Sequence, residues 1–594
     1  MTGSTDGSSD TSSAPSSDAP RTDRRGFFRG SALAAAGVAA GAALGFGAGA
    51  TNSGPPADSA SAPLPGERPD GTGFDHLVVV MFENRSFDNL LGYLYSPTTA
   101  STPPGQTFEG LSAGTSTYSN TAPDGTQVAA HTYTGPTDRV MMSPQPDPGE
   151  EYPFVNTQLF GTIDPEHNTD HTLDKLEAPF NAPPAGATAT MEGFVHDYVL
   201  KWKNEHKGTE PTAEDYGVIM GSFAPEMLPV FSTLARNFAI YDHWHCAVPS
   251  QTFCNRSFFH ASTSHGFVTN GGNGGYRKWI DQSKTEGATI FNRLEDAGID
   301  WAVYYDDRQL ISMTGLIHAP HLEPYFATRF RTMSHFYRDA AAGTLPAYSF
   351  IEPRMLYDHN DMHPPVGPME KADVDGHEIV SGAISDVRAG DALLHEVYSA
   401  IKSSAAADGS NALNTVLAVT FDEHGGTYDH VPPPAATPPD DPATASRRTE
   451  MDFSFDRLGV RVPAMVISAY TPKGVVLNDP MHHAAVISTL CDRWGLDSLT
   501  RRDEGAPTLS GAITLGSPRD PATWPTTSPH YVPKNPEADS PIHHGDEDHA
   551  LSPPGIGLMG LLLAKYGDAG DAQPHTYRDA WALVQKHGLG LFGK

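Results

Sequence analysis

Two clusters of oxygen-bearing side chains, far apart in the chain, have the composition of a cation site. Asp422-Glu423-His424-Gly425-Gly426 places two carboxylates and an imidazole side by side at the end of the apolar run 415–421. Adjacent carboxylates repel, and beside an apolar strand they require a cation or several hydrogen-bond donors. Glu83-Asn84-Arg85-Ser86 repeats the arrangement after the apolar run 76–82. Each run reads as a buried parallel strand, and Ser86, ahead of Phe87-Asp88-Asn89-Leu90-Leu91, suits a helix N-cap. Ligands bind at the carboxyl ends of the strands in an open parallel sheet, so the two turns are expected to converge on one site. Taken singly, a carboxylate at a strand-to-helix turn also serves as an ordinary cap.

A cation held by carboxylates defines no reaction until a nucleophile is added. Val248-Pro249-Ser250-Gln251-Thr252-Phe253-Cys254-Asn255-Arg256 is a Pro-containing loop running into a helix expected to begin near Thr252 or Asn255. A hydroxyl at a helix N-terminus meets unpaired amide groups and a positive dipole, which favour its alkoxide and an attacked phosphate alike. By residue type alone Thr252 fits an N-cap as well as a nucleophile.

The elements that must position these residues follow from the alternation of patterns. Residues 301–305, 348–351, 416–421 and 462–467 read as strands, and 289–297, 389–402 and 484–494 have helical spacing. This is the α/β pattern of a central, mostly parallel sheet sandwiched between helices. Residues 98–190 are rich in Thr, Pro and Gly with little periodicity, and read as a long insertion over the sheet edge. The Pro-rich stretch 432–445 has the composition of an active-site lid. Residues 74–505 form the expected catalytic domain, and 506–594 a C-terminal extension with helices at 555–565 and 577–587.

The 594 residues carry a formal charge of −32, and the first fifty, with four Asp and four Arg, contribute none of it. So acidic a chain is repelled by nucleic acid, which excludes that class of partner. Residues 1–23 are too polar to pack and are expected to be disordered. Arg24-Arg25-Gly26-Phe27-Phe28-Arg29 and the Ala/Gly-rich stretch 31–50 read as a twin-arginine export signal with a small-residue cleavage site at Ala48-Gly49-Ala50. The stretch is weakly hydrophobic for a bilayer span, which favours cleavage over an uncleaved anchor. With 51–73 as a linker, the expectation is a secreted or cell-surface protein served by the twin-arginine machinery. Of three cysteines, Cys246 and Cys254 either pair or stay free, and Cys491 falls on the apolar face of the helix at 484–494.

Four segments together resemble the phosphoesterase family of bacterial phospholipases C, plant non-specific phospholipases C and certain bacterial acid phosphatases. They are residues 76–88, 248–256, 422–433 and 458–463, in the family's order and spanning about residues 74–503. The resemblance implies a fold like that of the alkaline phosphatase superfamily. It implies Glu83, Asn84, Asp422 and Glu423 as metal-site residues, with Thr252 as nucleophile and further ligand. His363 and His171 match active-site histidines, and Asn255 lies in the nucleophile motif as a further catalytic candidate. Met362 stands where some members carry another histidine. His424, His430 and His483 are expected to support the ligands or meet substrate. Oxygen donors favour calcium, magnesium or manganese, and zinc if histidines join. The implied reaction is hydrolysis of a glycerophospholipid to diacylglycerol and a phosphorylated headgroup through a phosphothreonine, with transient membrane-surface contact. An acid phosphatase acting on monoesters is the alternative, and an exported structural metal-binding protein is the alternative of another class.

Overall fold

Runs that are apolar on both faces need strand neighbours on either side and helices above and below. The computed structural model describes residues 74–593 apart from 98, 112–117, 136, 171, 273, 283–284, 286, 357–358, 366–369, 375–376, 382–384, 441–448 and 531–550. The export signal, the linker and His171 therefore lie outside the described residues, as does the end of the expected lid.

Eight strands make one sheet: β1 His76–Phe82, β2 Ala239–Tyr241, β3 Trp301–Tyr305, β4 Phe330–Thr332, β5 Tyr348–Ile351, β6 Thr415–Phe421, β7 Ala464–Ile467 and β8 Val475–Leu477. Their order is β8-β2-β7-β6-β1-β5-β3-β4. Only β7 runs against its neighbours; the other pairings are parallel. β7 starts two residues later than its apolar run because Val462 donates its N–H to the Trp244 carbonyl, outside the sheet.

Helices lie in two packed groups about the sheet. Thr252–Ala261 contacts Ala484–Trp494, Ile290–Asp296 and Met313–Ile317, whereas Val387–Ser403 contacts Pro229–Asn237 and Met333–Ala342. The helix expected at 289–297 is opened by Thr289, whose side chain forms a reciprocal capping box with Asn292. C-terminal helices occur at Pro553–Tyr566 and Tyr577–Leu583. Among the described residues no helix is long and apolar enough to cross a membrane. All three cysteines are free and buried, so the Cys246–Cys254 pairing is not made.

The insertion is more ordered than its composition suggests. Helices Tyr152–Phe160 and Phe194–Glu205 build a separate apolar cluster from Val155, Leu159, Phe194, Val195 and Tyr198, closed by Tyr428 and Val460 of the main body. It reaches the middle of the sheet rather than its edge, because its loop at 147–151 lies on the Gly425-Gly426 turn after the interior strand β6. Both glycines are left-handed, at φ 60° and 65°. A Cβ on Gly426 would overlap the Gly149 carbonyl oxygen, and one on Gly425 would overlap the Asn84 carbonyl oxygen. Gly425→Ala should therefore lower stability by about 2–5 kcal/mol, combining the left-handed penalty with the overlap. A urea midpoint equal to wild type would show that this turn is free to rearrange.

Candidate active site

The two motifs meet because β1 and β6 are parallel neighbours in register, His76 opposite Thr415 through Phe82 opposite Phe421. Glu83 and Asp422 thus leave adjacent strand ends together. Asn84 then turns left-handed at φ 57°, a conformation Asn tolerates better than most residues. Its N–H donates to Asp422 Oδ1 at 3.0 Å. Ser86 caps the following helix, accepting from Asn89 N at 3.1 Å while donating to the Tyr428 carbonyl at 2.6 Å.

Thr252 is the first residue of its helix, and Gln251 precedes it as the capping residue, so Thr252 is not the N-cap. Freed from that task, its hydroxyl donates to Glu83 Oε2 at 3.2 Å. The helix start is held from outside: Asn270 Oδ1 accepts from Phe253 N at 2.8 Å. One turn on, Arg256 donates from Nε to Glu83 Oε1 at 2.9 Å and lies 3.8 Å from Asp422 Oδ2. Burial would weaken the guanidinium, but Glu83 and Asp422 more than offset it and raise its pKa.

Glu83, Asn84, Asp422 and Glu423 are 0% exposed and Thr252 2%. Burial drives Glu83 and Glu423 well above the ordinary carboxylate range and raises Asp422 too, while Arg256 pulls Glu83 and Asp422 back. Asn84 Oδ1, Asp422 Oδ2 and Glu423 Oε1 are buried without a hydrogen-bond partner. Orphan oxygens on three neighbouring residues, two of them carboxylates, are what a hard cation satisfies. The donor set therefore fits the divalent cation that the resemblance implies.

The histidines divide into three settings. His363 Nδ1 donates to the Pro364 carbonyl at 2.6 Å, leaving a buried Nε2 without a partner. Burial lowers its pKa to about 4. Met362, in the place of a further histidine, is wholly buried against Gly390. His483 and His424 brace the carboxylates. His483 Nε2 donates to the Asp422 carbonyl at 2.6 Å while Nδ1 accepts from Trp244 Nε1 at 3.2 Å, so its ring holds β6's end and does not cap the helix at 484–494. His424 meets Gln158 Oε1 at 2.8 Å through Nε2 and approaches Glu423 Oε2 at 3.2 Å through Nδ1. Burial lowers both imidazoles to about 4.

His430 belongs elsewhere. It bonds Asp88 Oδ2 at 2.6 Å, and Arg461 bridges Asp88 and Asp429 at 3.0 and 2.9 Å. Burial opposes His430's charge, but Asp88 outweighs it and raises the pKa. This ion network ties the first helix to the 428–430 turn, so His430 sits as an orienting residue of that turn. Asn255 is likewise turned away from the carboxylates: its amide accepts from Val248 N at 3.0 Å and donates to the Ser250 carbonyl at 2.6 Å. It shapes the loop that presents Thr252.

The sequence reading did not single out Asp147 and Glu150. The insertion brings both into the site, where their carboxylates and the His363 imidazole offer ligand atoms within 4.8 Å of one another. Asn84 Nδ2 donates to Glu150 Oε2 at 2.7 Å. Burial holds both acids well above the ordinary range, and neighbouring carboxylates add to it. Gln158 fixes their loop, donating from Nε2 to the Gly149 carbonyl at 2.6 Å and to Asp197 Oδ2 at 2.8 Å. The visible signal was a cluster of acids, Asp147, Glu150 and Glu151, about a Pro-Gly turn.

A hydroxyl at a helix start, facing a carboxylate and asparagine cluster at the carboxyl ends of parallel strands, is the equipment of a phosphoric ester hydrolase. The sequence pattern of the Phosphoesterase family matches residues 74–497, and the chain belongs to that family. Non-specific phospholipase C3 of Arabidopsis thaliana is 30% identical over 514 residues, covering 83% of this chain and 82% of its own. Phospholipase C A of Mycobacterium tuberculosis is 25% identical over 524 residues, covering 83% and 86%. Among solved structures, a protein in the alkaline phosphatase superfamily from Vibrio parahaemolyticus is 14% identical, covers 47% of this chain and 64% of its own, and superposes with a TM-score of 0.27. So loose a superposition leaves the architecture to be read from the sheet itself.

Proposed function

We propose that this chain is an exported, divalent-cation-dependent phospholipase C that cleaves glycerophospholipids through a phosphothreonine. The observation that carries the reading is the Thr252 hydroxyl, released from capping and aimed at Glu83 amid the unpartnered oxygens of Asn84, Asp422 and Glu423. The relatives named phospholipase C support the diester preference, and Arg24-Arg25 supports export by the twin-arginine route.

Glu83, Asn84, Asp422, Glu423 and the Thr252 oxygen would hold the cation, which supplies charge to lower the hydroxyl's pKa and to screen an approaching phosphate. Thr252 Oγ1 attacks phosphorus in line, its proton leaving along the existing hydrogen bond to Glu83 Oε2. Arg256 keeps Glu83 in place during that transfer. The expelled oxygen is that of diacylglycerol. His363 Nε2 is a buried nitrogen near the site without a hydrogen-bond partner, and an anionic phosphate beside it offsets the burial that holds the ring at about 4. Thus charged, His363 delivers the proton to the leaving oxygen. Water then attacks the phosphothreonine and gives a proton to the neutral His363, while Glu83 returns its proton to the Thr252 oxygen as the phosphorylated headgroup is released. Catalysis at a lipid surface requires only transient membrane contact.

Purified protein assayed on phosphatidylcholine vesicles and on p-nitrophenyl phosphate, each with and without chelator, tests this. Diacylglycerol release that chelator abolishes is expected. Rapid phosphate release from the monoester, with no diacylglycerol from the lipid, would replace this reading with that of an acid phosphatase.

A further inference from the structure

An asparagine presents two chemically opposite ends, and only its oxygen can ligate a cation. Asn84 is not free to choose. Its Nδ2 donates to Glu150 Oε2 at 2.7 Å, and its Oδ1 is consequently turned away, buried and without a hydrogen-bond partner. The backbone cannot compensate for a flipped amide, because the Asn84 N–H is already committed to Asp422 Oδ1. Glu150 itself is 5% exposed and sits on a loop anchored by Gln158 and seated on the bare Gly426 turn. Its position is therefore imposed by the insertion, not by the strands that carry the other site residues.

We propose that Glu150 is a positioning residue: it sets the orientation of the Asn84 amide so that Oδ1, not Nδ2, faces the cation, and in this way the insertion completes a site whose ligands come from the ends of β1 and β6 and from the start of the Thr252–Ala261 helix. The proposal rests on the cation site described above. It differs from a ligand role for Glu150 in what matters about the side chain. Orientation needs an acceptor at Oε2, which glutamine retains, whereas direct ligation by charge needs the carboxylate. It also depends on residue 84 having two unlike ends, a dependence that a purely structural role lacks.

The test is calorimetric titration of chelator-stripped full-length protein with Ca²⁺, Mg²⁺ and Mn²⁺, using wild type, Glu150→Ala, Glu150→Gln and the same Ala change in an Asn84→Asp background. Binding is read directly, independent of turnover, and circular dichroism checks that each protein is folded. Glu150→Ala should raise the Kd about 10–100-fold, the range for groups that orient metal ligands. Glu150→Gln should stay within about threefold of wild type, because its amide oxygen accepts from Asn84 as the carboxylate does. In Asn84→Asp both ends of residue 84 are oxygens, so adding Glu150→Ala should leave the Kd unchanged or tighten it by removing a like charge. A Glu150→Gln loss as large as that of alanine, or an equal alanine effect in both backgrounds, would overturn the positioning role while leaving the cation site intact. Should Glu150→Ala fail to fold, the Gln variant and the Asn84→Asp pair decide in its place. Wild-type protein that takes up none of the three cations would overturn the site and this role together.

Discussion

Thr252→Val should fold as the wild type does and lose turnover by about a thousandfold or more, equivalent to at least about 4 kcal/mol of barrier. Valine preserves the β-branched shape at the first position of the helix and deletes only the oxygen. The stability cost is the one hydrogen bond to Glu83, worth about 1 kcal/mol. The helix keeps its start because Asn270, not Thr252, satisfies the Phe253 N–H. Steady-state hydrolysis of phosphatidylcholine alongside a urea unfolding curve separates the two effects. A folded variant with wild-type turnover would remove Thr252 from the chemistry and leave the hydrolase needing another nucleophile.

The second large effect concerns the cation and pH together. Burial raises the folded-state pKa of Glu83, Glu423, Glu150 and Asp147 well above the ordinary value. At these four groups the cation-free folded protein binds more protons than the unfolded chain does. Their contribution to stability therefore falls as pH rises above about 4, where unfolded carboxylates ionise, toward the raised folded-state values, while the buried His363, His424 and His483, lowered to about 4, contribute in the opposite sense up to about pH 6.5. Bound divalent cation favours the ionised carboxylates and opposes that loss, stabilising by about 2.7 kcal/mol at a hundredfold excess over its Kd. Thermal melts from pH 4 to 8, with chelator and with cation, should diverge progressively as pH rises. Superimposable melts at neutral pH would mean that no cation occupies this site.

Much of the scaffold was legible from periodicity. The long apolar runs 76–82 and 415–421 carry enough consecutive β-formers to declare themselves, and the strands at 301–305 and 348–351 lie where the pattern puts them. Ala239–Tyr241, Phe330–Thr332 and Val475–Leu477 did not stand out, since three residues are too few to show a period and their strand character comes from neighbours. At the site, oxygen-rich turns ending two buried strands were readable because strand ends in a parallel sheet share one rim. Glu150 was not, because nothing local marks it. Its relevance comes from a loop whose docking depends on the missing side chain of Gly426 and on Gln158. His430, inside the second carboxylate motif, orients the 428–430 turn and not the cation ligands, because its imidazole is drawn to Asp88 across the turn.

The hydrogen bond from Asn84 to Asp422 spans 338 positions of chain. During synthesis the amino-terminal half of the site emerges first and must wait for the strand that ends at Phe421, and for the turn after it, before Asp422 and Glu423 join the carboxylate cluster. A nascent chain that stalls between residues 252 and 421 carries Thr252 and Glu83 without Asp422 and Glu423. The full set of site carboxylates is thus tied by topology to synthesis at least as far as Glu423.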